Sequence, residues 1–223
     1  KVVQALGNQY EKIFLNGDYT LNFSRISNSL IQRQFRELAA YYEERSISFK
    51  GKKHACSQIM KKRLRNTLKA NSDKKIILLA HSMGTIVAYD VLTELGNSLE
   101  IDTFITLGSP LGHPFIRERM VKTTQSGLRT PACITKAWYN VYDPGDLIVY
   151  NDHLSDFFKK NKHGVKVTDR QVINYYRHNG IPNPHISYGY LQEAEVGGII
   201  AGSLEVTLAG KIWTRFIGLI SGQ

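Results

Sequence analysis

Cysteine is almost missing: Cys56 and Cys133 are the whole supply in 223 residues. They stand 77 positions apart, which excludes a metal-type spacing and a disulfide framework and leaves two idle or buried thiols. The compartment therefore stays open. Long apolar runs are missing too, none approaching the ~18 residues that span a bilayer as a helix. No internal repeat or low-complexity tract is present, so no repeat array is expected. Zinc-finger spacing, RNP-type aromatic motifs and Gly-rich phosphate loops are absent as well, and nucleic acid is not expected as a partner. The chain opens on Lys1 rather than methionine. It reads as a processed product or an excised piece, so a missing signal peptide says nothing about destination.

Acidic residues are scarce in one region only. The net charge is +10, yet residues 1–75 hold 16 Lys/Arg against 6 Asp/Glu, while residues 76–223 hold 13 of each. The excess is densest at Lys50–Lys53 and at Lys61, Lys62, Arg63 and Arg65. A solvated helix face is the ordinary cause of such a run; attraction to an anionic lipid surface or, on charge alone, to nucleic acid is the rival.

What is present centres on Lys75–Leu95, KIILLAHSMGTIVAYDVLTEL. Ile76–Leu79 has the uninterrupted apolar pattern of a strand buried on both faces. Met83, Ile86, Val87 and Val91 then keep to the helical period. Ser82 lies between them, with Ala80 and Gly84 two positions away on either side. A strand, a tight turn with serine at its apex and a helix make a nucleophile elbow. The turn predicts that side chains larger than Ala80 or Gly84 would collide as helix packs on strand. It also places Ser82 at a helix N-terminus, where the Met83 N–H can face a developing oxyanion.

The length suits one α/β domain with a sizeable core. It divides into a basic, helical part (1–75), a catalytic core (76–195) and an amphipathic tail (196–223). Helical spacing runs over Ser29–Arg45 and His54–Lys69, with Ser46–Phe49 a short strand or loop. Past the elbow, Ile101–Leu107 reads as a second buried strand, so the sheet is mainly parallel. Ser109 and His113 come after its carboxyl end, the edge where open α/β sheets place their sites, and are expected to line the cleft with His81. Phe115–Val121 reads as a helix, 122–131 as a polar connection and Ile134–Val141 as the next strand. An acid belongs in the turn after it. Asp146, just ahead of Leu147 and Ile148, is favoured, with Asp143 as the fallback because Asp-Pro starts turns in its own right. Residues 151–180 read as a polar excursion anchored by Val167 and Val172. His185 then emerges from a loop fixed by Pro182 and Pro184, before a helix over Ile186–Glu195. The tail, 197–223, has the spacing of an amphipathic helix.

Ser82, Asp146 and His185 fall in the order serine, acid, histidine. With His81-Ser82-Met83-Gly84, Thr106-Leu107-Gly108-Ser109-Pro110-Leu111 and Trp138-Tyr139-Asn140-Val141-Tyr142-Asp143-Pro144-Gly145-Asp146, the chain resembles lipase- and esterase-type α/β-hydrolases. It is most similar to the cluster of GPI-inositol deacylase-like proteins, over about residues 74–195. The resemblance implies an α/β-hydrolase sheet with helices on both faces and a serine ester hydrolase. Ser82 would be the nucleophile, Asp146 the acid and His185 the base. The substrate would be a small-molecule or lipid ester, with peripheral membrane contact as a further expectation. No metal or organic cofactor is implied.

One feature of such enzymes is missing. Nothing before residue 75 reads as a strand ending in the His-Gly pair whose loop supplies a second oxyanion donor. Either the chain lacks the first strands or another loop donates. This departure and the basic N-terminal part motivate a rival reading: a non-catalytic hydrolase-fold module that binds anionic lipid or an acidic protein.

Overall fold

Three apolar runs lie side by side as parallel strands because each is covered on both faces. The computed structural model describes residues 38, 41–42, 46–49, 52–124, 127–149 and 153–204. Most of the helix read over 29–45 and the tail beyond 204 lie outside the described residues.

A hairpin of β1 (Ser46–Phe49) and β2 (Lys52–Ala55) leads straight into helix α1 (Cys56–Lys69). Next come β3 (Ile77–His81), α2 (Met83–Leu95) and β4 (Ile101–Leu107). A 3₁₀ turn (Pro110–Gly112) leads into α3 (Pro114–Thr124), then β5 (Ile134–Tyr142) and β6 (Val167–Gln171). A short hairpin of β7 (Arg177–His178) and β8 (Ile181–Pro182) precedes α4 (Ser187–Gln192) and α5 (Ala194–Ser203).

The sheet order β3-β4-β5-β6 is that of the chain, and every pairing is parallel. Side chains alternate between its faces. Phe104 and Trp138 pack with α2 residues Ile86, Tyr89, Val91 and Leu92, whereas Ile105, Leu107 and Val141 pack with Tyr190 and Val196 from α4 and α5. Helices therefore cover both faces, as expected. Trp138 is the centre of the larger cluster, its ring 5.3 Å from Phe104 and 5.0 Å from Phe158. Offset and edge-on contacts of this kind suit aromatic quadrupoles, so these aromatics build core.

Three expectations need correction. The stretch 151–180 is not only an excursion over the sheet edge, since Val167–Gln171 adds a fourth parallel strand to β5. Its Val-Thr-Asp-Arg-Gln sequence hides it: an edge strand covers little, and only Val167 is fully buried. Lys52 and Lys53 belong to a hairpin strand rather than a helix face. On α1, Lys61 and Arg65 both pair with Glu94 of α2, so part of the basic run is neutralised within the fold. Finally, the helix read over Ile186–Glu195 is two helices, broken at Glu193 by extended backbone (φ −68°, ψ 131°). Val196 is buried on the sheet and Gly197–Ser203 complete α5, so the core runs past residue 195.

Register decides where the strands end. His81 pairs with Leu107, and Leu107 with Val141, so three strands finish level. Hydrogen bonds from Ser82 N–H to Leu107 and from Gly108 N–H to Val141 carry the alignment one residue further. Ser82, Gly108 and Asp143 thus leave the sheet at one carboxyl edge.

Candidate active site

Ser82 departs from β3 with φ 54° and ψ −133°, a conformation that L-residues rarely adopt. Such a residue costs on the order of 1–3 kcal/mol and persists only where its surroundings hold it. Here the Thr85 side chain and the Thr85 N–H both donate to the Ser82 carbonyl, at 2.7 and 2.9 Å. Strain and tethers together throw the side chain outward at the turn's apex. Met83 opens α2, so its N–H has no preceding helical carbonyl to serve. Gly84 corrects one expectation: a Cβ there would meet nothing within 4 Å, so strand packing does not demand its small size.

His185 comes to the same edge from the loop before α4. Its Nε2 lies 2.9 Å from Ser82 Oγ, and its Nδ1 lies 2.9 and 2.8 Å from the two oxygens of Asp146. All three side chains are buried. A carboxylate accepts only, so Nδ1 carries the proton and the Nε2 lone pair faces the serine hydroxyl. Asp146 also accepts the Ile148 N–H at 3.0 Å, which holds its carboxylate within its own turn. Asp143, the fallback, is otherwise engaged. Its oxygens accept the N–H groups of Gly145 at 2.6 Å and Asn174 at 2.5 Å.

The loop carrying His185 is clamped by side chains. Asn174 donates its amide hydrogens to the carbonyls of Pro184 (2.8 Å) and Ile186 (3.0 Å). His81 Nε2 lies 2.6 Å from the His185 carbonyl and must donate to it. Three consecutive carbonyls are thereby satisfied, as buried backbone requires. Burial, and next the neighbouring His185, push the His81 imidazole below its usual range. His81 is therefore a neutral tether beside the site, its ring 4.7 Å from that of His185.

The other two lining candidates sit further back. Ser109 Oγ accepts the Leu111 N–H at 3.2 Å and bonds Thr85 Oγ1 at 2.9 Å, so it reaches Ser82 only through Thr85. His113 accepts the Phe115 N–H on Nδ1 at 3.3 Å, serving the start of α3. Burial, and next the Arg117 guanidinium, push its imidazole down to about 4 from 6.5. A histidine depressed in the fold binds fewer protons folded than unfolded, so stability is full above pH 6.5 and falls toward pH 4. Urea melts across that window are expected to show a loss on the order of 2–3 kcal/mol from this residue. His113→Asn should flatten much of the slope, while His81, shifted the same way, keeps a part of it. An unchanged slope would remove His113 from the acid response.

Besides Asn174, sequence reasoning missed two groups. Tyr190 donates its hydroxyl to Asp146 Oδ2 at 2.8 Å; in sequence it is one more aromatic at helical spacing. Gly108 reads as a turn glycine, but a Cβ there would lie 2.8 Å from Asp146 Oδ2 and 3.4 Å from His185 Nδ1, at φ +52°. The carboxylate and imidazole close up over this bare backbone. Among the described residues, no cluster of three or more His, Cys, Asp or Glu is arranged to hold a metal ion.

Chemically, the arrangement is a hydroxyl, an imidazole and a carboxylate in series beside a helix N-terminus. The family model described as PGAP1-like alpha/beta domain matches residues 7–141, which takes in the elbow, β4 and most of β5 and stops short of Asp146 and His185. No curated protein and no solved structure matches the chain. With more than half of its length matched, the chain belongs to the PGAP1-like alpha/beta domain family, a GPI-inositol deacylase-like group with the α/β-hydrolase fold, and its activity is of the hydrolase type.

Proposed function

We propose that the protein is a serine ester hydrolase acting through an acyl-enzyme on Ser82. The observation that carries this reading is the 2.9 Å separation of His185 Nε2 from Ser82 Oγ, with Nδ1 held on Asp146. His185 takes the serine proton as Oγ attacks the acyl carbonyl, and Asp146 stabilises the imidazolium that results. The Met83 N–H binds the oxyanion. His185 then returns the proton to the departing alkoxide, and a water that it activates releases the acid. The substrate is a carboxylic ester of a small molecule or a lipid.

The rival binding-module reading loses some ground where Lys61 and Arg65 share Glu94, since its carboxylate offsets one of the two charges at the surface. A non-catalytic fold also has no use for a strained serine held against an imidazole. The test is labelling with a fluorophosphonate, in which Oγ displaces fluoride from phosphorus and His185 takes the proton. The parent protein is expected to gain one adduct on the peptide containing Ser82, read by mass spectrometry. A folded parent that takes up no label would overturn the hydrolase reading.

A further inference from the structure

We propose that Tyr190 is a positioning residue: its hydroxyl fixes the Asp146 carboxylate and moderates that carboxylate's pull on His185. The proposal rests on the roles given above to Ser82, Asp146 and His185. Tyr190 is fully buried on α4, its hydroxyl between two backbone-anchored groups. It accepts the Asp143 N–H at 3.1 Å and meets Asp146 Oδ2 at 2.8 Å. An amide N–H only donates and a carboxylate only accepts, so the phenol's direction is fixed. His185 Nδ1 meets the same Oδ2, also at 2.8 Å. Two donors therefore draw on one oxygen, and each weakens the other's bond to it.

Burial, and next the Asp146 charge, push the phenol above its ordinary range, so Tyr190 stays a donor throughout the working pH range. The titratable groups that face this cluster are few. His81 comes from the end of β3, its ring 6.2 Å from that of Tyr190; Asp143 and Asp146 come from the turn after β5, and His185 from the loop before α4. His81 is already held below its usual range, and the proton on its Nε2 is given to the His185 carbonyl rather than to Oδ2. Gly108 closes the fourth side with backbone alone. Nothing else on the described elements supplies Oδ2 with a side-chain donor.

The consequence has a sign. Without the phenol O–H, Oδ2 holds the imidazolium more tightly, so the ring frees Nε2 at higher pH. In Tyr190→Phe the acidic limb of the pH–labelling-rate profile should move up by about 0.5–1 unit. The maximal rate should fall about tenfold as the carboxylate loses a support. A residue that merely packs would lower the melting temperature and leave the limb in place.

The experiment measures the fluorophosphonate labelling rate of Ser82 against pH in three proteins: the parent, Tyr190→Phe, and the parent with 3-fluorotyrosine at position 190. The fluorinated phenol is nearly isosteric and a stronger donor, so its limb should move down. Opposite shifts support the proposal. Parental limbs in both variants would overturn it, whatever their melting temperatures. If Tyr190→Phe does not fold, the fluorotyrosine protein decides alone. A parent that does not label at all defeats the hydrolase reading itself, a result unlike either of the others.

Discussion

Ser82→Ala is expected to lower ester turnover by about 10⁶-fold, to the level that binding and a lone oxyanion donor sustain. The loss is so large because, in the proposed mechanism, the hydroxyl oxygen is the atom that forms the bond, and His185 Nε2 then faces a methyl group. The fold should survive, since removing one hydroxyl leaves the Thr85 tethers on the Ser82 carbonyl intact. The strain at this position adds a second arm. Ser82→Gly fits φ 54° without penalty and is expected to raise stability by about 1 kcal/mol while being equally inactive. Kinetics on p-nitrophenyl esters and thermal melts read the two effects separately. Turnover retained in a folded Ser82→Ala protein would sink the assignment. A loss of stability on going to glycine would mean that the elbow is not strained.

How much of the fold and site was legible depended on burial. The strands at 77–81, 101–107 and 134–142 are covered on both faces, so their sequences are largely apolar and stand out. β6 runs along the sheet edge, where Asp169 serves Asn140 and the N–H groups of Leu154 and Ser155, and its polar sequence announces no strand. The hairpin before α1 is likewise written in lysine and serine. In the site, Ser82 is visible because its turn imposes a local pattern, whereas the groups that hold the site come from distant positions. Asn174 lies 10 and 12 residues from the carbonyls it clamps, and Tyr190 lies 44 from Asp146. No spacing rule joins such pairs; parallel register does. Once His81, Leu107 and Val141 end level, the residues after each strand are forced into one cleft. Gly108 shows the limit most plainly. A glycine after a strand always reads as a turn, and only the packed cleft reveals that a methyl group there would strike Asp146.

Asp146→Asn is expected to cost about 10⁴-fold in turnover, and Asp143→Asn less than about tenfold. The difference comes from where each carboxylate's bonds go. Asp146 Oδ1 accepts the Ile148 N–H and Oδ2 accepts the Tyr190 hydroxyl, while both approach His185 Nδ1. An asparagine must put its NH₂ at one of these positions. At the Oδ1 position it would confront the Ile148 N–H, which cannot turn to accept. At the Oδ2 position it meets the phenol oxygen, which can accept, so this orientation wins. The NH₂ then also donates to His185 Nδ1, which must become an acceptor, and the ring proton moves to Nε2. The lone pair that should receive the serine proton is gone, with hardly an atom displaced. Asp143→Asn instead loses one of two backbone bonds, to Gly145 or Asn174, and leaves a buried N–H without its acceptor. That costs stability on the order of 1–3 kcal/mol and touches the base only through Asn174. Matched kcat/KM and urea-melt measurements on the two variants separate the cases. Were Asp143→Asn the more damaging to turnover, the acid would be misassigned, and the His185 contact with Asp146 would be a structural tie.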